Sequence, residues 1–262
     1  MKIIEGGEAL STLPGRRIEP GEVFRFRCHS GLGCFNRCCR NLNLFLDPYD
    51  VVRLKTRLGL DSDRFLDRYV DVVLRPGLHF PEVLLRMADD AEATCPFLTD
   101  AGCTVYPDRP GTCRAFPMEH GAYYDAASDT LTPVHFLRPP EFCEGETAPD
   151  ELTVADWIAD QGAEPYQEMM HAWGRLKARF QDNPWGADGP EGRGARMAFM
   201  AAYNLDPFRD FVFGSSFLKR HKVKPDIKKR LRIDDAALLR FGMEWIGYFA
   251  FGIRPGRFRP KG

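Results

Sequence analysis

"CHSGLGCFNRCCRN", residues 28–41, holds Cys28, Cys34, Cys38 and Cys39, the last two adjacent. How these four thiols are read decides the fold of the whole N-terminal part. A buried cysteine behaves as a small hydrophobe, which suits one lone residue but not four within twelve positions flanked by Asn, Arg and Gly. Adjacent cysteines are poor disulfide partners for each other, because the bond requires separated α-carbons. A lone nucleophilic or redox thiol needs no such company. Metal or iron–sulfur ligation does, since thiolate is the preferred ligand of zinc and of iron–sulfur clusters and four cysteines complete either kind of site. Gly31 and Gly33 let the backbone fold around an ion and turn its amides toward sulfur.

The spacing, C-x5-C-x3-C-C, is neither the paired C-x2-C of a zinc ribbon nor the ferredoxin run. It leaves the metal open. Neighbouring side chains of an extended segment point apart. Cys38 and Cys39 are therefore expected to serve different metals, or one a metal and the other the core.

Working outward, a second group lies in "CPFLTDAGCTVYPDRPGTCRAFP", residues 95–117, with Cys95, Cys103 and Cys113. Pro96, Pro107, Pro110 and Pro117 fix φ and stiffen it. Arg109 and Arg114 sit beside these thiols, where guanidinium groups are expected to compensate a thiolate site's negative charge and donate to sulfur. Cys143, in "EFCEGE", completes the set of eight cysteines, all of which fall in residues 1–143. Eight thiols make two four-cysteine sites, or one cluster plus spares. His29 and His120 lie near the groups but read more readily as surface or packed residues.

Around this constellation the chain is ordinary. Its 262 residues are 44% hydrophobic and 28% charged with net charge −1, enough to bury a core without staples. The opening "MKIIEGGEALSTLPGRRIEP" has no apolar run of signal-peptide length, and no stretch approaches a membrane span. The expectation is a cytoplasmic protein with no membrane partner, in a compartment that disfavours disulfides. Charge is uneven: residues 219–262 carry 13 Lys/Arg against four acids, a surplus of nine, so residues 1–218 carry a deficit of ten. Such a basic end can meet an anionic partner or fold back on the acidic body.

"EVFRFR" (22–27) alternates as a short strand into Cys28. Asp47 and Pro48 open a helix carrying Val51, Leu54 and Leu58 that Gly59 ends, and Asp61 caps a second one with Phe65, Leu66 and Tyr69. "VLLRMA" (83–88) and "CTVY" (103–106) read as strands. "AYYDAASDTLTPVHFL" reads as a hairpin turning at residues 126–129. Thr153 and Asp156 form a capping-box variant. "EPYQEMMHAWGRLKARF" is an amphipathic helix, "QDNPWGADGPEGRGA" a loop, and about 207–221, 226–233 and 235–252 are helical. The fold class is α+β: an irregular cysteine-rich metal-binding domain over 1–150, then a mostly helical region over 151–262.

"FRCHSGLGCFNRCCRNLNLFLDPYDVVRL…DRFLDRYV", "CPFLTDAGCTVYPDRPGTCRAFP" and "FCEG" together resemble the YkgJ-type cysteine-cluster family, also described as the CxxCxxCC zinc- or iron-chelating domain. The resemblance covers about residues 22–145. The family name implies shorter gaps than those of the first group here. The resemblance implies zinc or iron, including iron–sulfur, as cofactor. It extends distantly to flagellin lysine-N-methylase, which implies an alternative role as an iron–sulfur enzyme acting on a protein substrate.

Three functions therefore stand: a metal-binding protein, a protein-modifying iron–sulfur enzyme, and a module for an anionic or nucleic-acid partner using "KRHKVKPDIKKRLR". The metal ligands expected are Cys28, Cys34, Cys38, Cys39, Cys95, Cys103, Cys113 and Cys143. No nucleotide or hydrolase motif is present and no catalytic residue is assigned.

Overall fold

Asp47, Pro48 and Gly59 bracket a helix over Pro48–Leu58, with the Asp50 carboxylate accepting the Asp47 N–H at 2.9 Å and Gly59 in the left-handed conformation that ends it. The computed structural model describes residues 2–4 and 14–261. Most of the opening segment read above for a signal-like run lies outside the described residues. The architecture is α+β, with helices and short strands gathered in small sheets. Two compact units divide the chain, and they interleave in sequence: Met1–Leu44 with Arg86–Arg175, and Phe45–Leu85 with Leu176–Gly262.

In the first unit the expected hairpin pairs Met118–Asp125 with Thr130–Leu137. Lys2–Ile4 adds in parallel to the first of these strands and Arg16–Ile18 antiparallel to the second. Ile18, Phe24, Phe26, Met118, Leu137 and Trp157 form a buried cluster, with Cys143 packed against it. The strand foreseen before Cys28 is Val23–Arg25, paired antiparallel with Glu151–Thr153. Thr153 then caps the helix Val154–Asp160: its Oγ1 accepts the Asp156 N–H, and the Asp156 carboxylate accepts the Thr153 N–H at 2.9 Å. That helix sets the Trp157 ring edge-on to Phe26 at 5.4 Å. The strand expected at 103–106 stops at Cys103, paired back on Leu98–Thr99. Beyond it Pro107 lacks an N–H for the ladder, and the chain makes a 3₁₀ turn over Tyr106–Asp108.

The second unit has a sheet in the order Phe45–Leu46, Glu82–Leu85, Val70–Val73, shorter than the strand expected through residue 88. Its helices differ from expectation at two places. Arg193–Tyr203 is helical where the Gly- and Pro-rich reading extended the loop to residue 195. The helix expected over 207–221 is two, Leu205–Gly214 and Phe217–Arg220, broken at Ser215 and Ser216. The long helix Asp235–Phe251 crosses Arg193–Tyr203 so closely that a Cβ on Gly242 would lie 2.3 Å from the Ala201 carbonyl oxygen. Lys55, 5% exposed, is held by Asp206 at 2.9 Å and Asp235 at 2.8 Å, so its buried charge is paired twice. No helix among the described residues is long and apolar enough to cross a membrane.

Candidate metal centre

All eight cysteines fall in the first unit, and no disulfide joins any of them. Local chemistry explains how the first group is placed. Cys28 follows the strand Val23–Arg25, and the Arg27 N–H donates to the Gly145 carbonyl at 2.9 Å. Gly145 permits this approach, since a Cβ there would lie 2.3 Å from the Phe26 ring. The loop carrying Cys143 is thereby laid beside the start of the cysteine segment. Glu144 fastens it further. Its backbone N–H donates to Cys34 Sγ at 3.3 Å, and its carboxylate accepts the Gly33 N–H at 2.9 Å.

Cys38 and Cys39 lie in a 3₁₀ turn, Arg37–Cys39, entered through Asn36 at φ 68°. This corrects the extended conformation assumed from sequence. The left-handed residue, tolerable for Asn, tightens the backbone, and the adjacent thiols share a hydrogen bond instead of pointing apart. The second group comes to meet the first through the backbone. Cys95 N–H donates to the Cys39 carbonyl at 2.9 Å, Asn41 N–H to Ala93 at 3.0 Å, and Arg40 pairs with Glu92.

Electrostatics show which thiols are neighbours. Cys28 is pushed up by burial and then by Cys38, Cys34 and Cys143. Cys143 is pushed up by burial, with Cys34 and Cys38 adding to it. Cys39 is pushed up first by its hydrogen bond with Cys38 and by burial, then by Cys113 and Cys95. Cys95 is raised by burial and by Cys103. Two neighbourhoods result, Cys28–Cys34–Cys38–Cys143 and Cys39–Cys95–Cys103–Cys113, joined at the adjacent pair. Within that pair the hydrogen bond from Cys39, aided by backbone donation and the nearby Arg40, brings Cys38 down to about 7, the direction a metal ligand needs.

Among the described residues, the hydrogen bonds of Arg109 and Arg114 run to oxygen atoms and not to sulfur as expected. Arg109 donates to the Tyr106 carbonyl at 2.8 Å and to Gln161 Oε1, and Arg114 to the carbonyls of Gln161 and Pro107. Both are buried, at 8% and 7% exposure, and they brace the proline-rich loop from within. Burial pushes the Cys103 thiol up, and the Val105 backbone and then the charge of Arg109 oppose that rise. Arg114 Nε, beside Cys113 in the chain, is buried without a hydrogen-bond partner among the described residues. Neither histidine flagged above joins the thiols by a hydrogen bond. His29 Nδ1 accepts the Gly31 N–H, and His120 meets His135 at 2.7 Å between their Nδ1 atoms.

Among the described residues, no three Cys, His, Asp or Glu side chains stand close enough to enclose an ion as they are. The thiols share neighbourhoods, not closed shells. The donor chemistry fits zinc or iron all the same: each neighbourhood offers four soft sulfur atoms, and an amide N–H already points at Cys34 Sγ. To hold an ion these thiols would have to draw together, which would couple binding to local order.

Residues 27–144 match the family model CxxCxxCC, "Putative zinc- or iron-chelating domain", which is the family the sequence resembles. No curated protein and no solved structure matches the chain.

Proposed function

We propose that this protein binds zinc or iron through eight cysteine thiolates divided into two adjoining sets of four. Cys28, Cys34, Cys38 and Cys143 hold one set, and Cys39, Cys95, Cys103 and Cys113 hold the other. The observation that carries this reading is the partition of thiol neighbours about the Cys38–Cys39 pair. A four-thiolate shell on a divalent ion is net negative, and Arg40 and Arg109 supply nearby positive charge. A bound ion gives the irregular loops an organising centre that their short strands do not provide; an iron–sulfur cluster would add electron transfer. The chain's own residues position sulfur: Glu144 orders the first loop, Arg109 and Arg114 the second, and the Cys95–Cys39 backbone bond joins them.

Purification without oxygen, followed by an absorption spectrum and assays for acid-labile sulfide and metals, tests the reading. A colourless protein with stoichiometric zinc supports structural sites, and a brown one with iron and sulfide supports clusters. Protein free of both metals, and unable to take up either after reduction, overturns the proposal.

A further inference from the structure

His221–Val223 and Phe258–Pro260 form an antiparallel two-stranded ribbon with Lys222 directly opposite Arg259. The alternation of a strand explains its two faces. Val223 and Phe258 are 4% and 1% exposed and turn inward, Phe258 packing on Phe217 and Phe241. Lys222 and Arg259 therefore share the outer face, and both are exposed. Like charges directly opposite one another destabilise a strand pair.

More positive charge surrounds this pair. Lys219, Arg220, Lys224 and Lys261 flank it and are exposed, and the Lys261 N–H donates to the Arg220 carbonyl at 2.8 Å, continuing the ribbon. Lys222 and Lys224 fall at alternate positions of extended backbone, about 6.6 Å apart along the chain. Among the described residues no carboxylate pairs with Lys219, Arg220, Lys222, Lys224 or Arg259. Nearby cations are neutralised, Arg230 by Asp234 and Arg257 by Glu244. The ribbon segments contain none of the large exposed apolar side chains of the described residues, so they lack the apolar anchor typical of a protein interface.

We infer that this ribbon is a binding surface for the phosphate backbone of duplex DNA. DNA presents about one negative charge per 1.7 Å of axis, a dense array of phosphates that a cluster of unpaired cations can partly neutralise. Contacts of this kind are to phosphate and not to base edges, so recognition is independent of sequence. The surface lies in the second unit, whereas all eight cysteines lie in the first.

The test uses the full metal-loaded chain and a fluorescently labelled 20-base-pair duplex of arbitrary sequence, with affinity measured from low to moderate salt. The expected result is binding whose logarithm falls with log salt at a slope of about −4 to −5, for about five phosphate contacts. Lys222→Gln with Arg259→Gln is expected to weaken binding about tenfold or more at 0.1 M salt and to flatten the slope by about two. The same variant keeps or raises the melting temperature, because it relieves the cross-strand repulsion. Three results overturn the inference: no duplex binding at low salt, an unchanged slope and affinity in the double variant, or preferential binding to phosphatidylserine vesicles that Ile233→Ser abolishes. Ile233, 81% exposed beyond the basic helix Pro225–Leu231, is the apolar group such a membrane contact would need.

Discussion

The backbone N–H of Cys95 donates to the carbonyl of Cys39 at 2.9 Å, joining two cysteine loops far apart in sequence. Arg40 reinforces this junction, with its Nη1 on the Asn36 carbonyl at 2.7 Å and its Nε on Glu92 at 2.9 Å. Arg40→Ala is expected to loosen the junction by about 1–2 kcal/mol, the scale of a hydrogen bond from a charged group. Competition with a chelator should then show faster metal loss than in the parent chain. Unchanged loss would mean that the backbone bond alone holds the loops.

Asn36 holds φ at 68°, a conformation that β-branched residues resist. Asn36→Val is expected to cost about 1–2 kcal/mol and to lower metal affinity, while Asn36→Gly leaves both near the parent value. Melting curves of the two variants, with and without zinc, make the comparison. Equal behaviour would show that the left-handed entry to the 3₁₀ turn does not matter.

Gly145 faces the Phe26 ring with room for no side chain. Gly145→Ala should destabilise by about 1–3 kcal/mol through overpacking, and it should displace the Cys143 loop from Cys28. A melting temperature equal to the parent's would contradict this packing.

Several elements of both units were legible in the sequence because their signals are local. Thr153 with Asp156, the hairpin turn at residues 126–129, and Asp47-Pro48 with Gly59 each act within a few residues. The helix Arg193–Tyr203 was hidden because it follows a glycine-rich run and buries Ala195, Ala198, Ala201 and Ala202, which give little hydrophobic contrast. Their value is tertiary: small side chains let Gly242 approach. The ribbon at 221–223 and 258–260 was equally invisible, since three-residue strands pair across the length of a long helix. At the thiols, the eight residues could be named but not sorted. The proposed division rests on the placement given by Gly145 and the Cys39–Cys95 bond, both long-range, and on a 3₁₀ turn that sequence alone read as extended.

The histidine pair gives the protein an acid limit. Burial, and then the adjacent His135, hold His120 down at about 3, and burial with His171 lowers His135. An unfolded imidazole titrates near 6.5. Between that value and about 3 the unfolded chain binds protons that folded His120 refuses, so stability falls as pH drops through this window. His120→Gln should flatten the fall between pH 6.5 and 4 relative to the parent in denaturant melts. The thiols are common to both chains, so their own pH dependence cancels. Parallel curves would contradict the assignment.

The most direct test of the two-set account is the metal content of four anaerobically purified proteins: the parent, Cys34→Ser, Cys113→Ser and the double variant carrying both changes. The account predicts that each single variant loses the metal of its own set while keeping the other's, so that each retains about half the parent's content, and that the double variant loses nearly all of it. Full metal content in both single variants would contradict it.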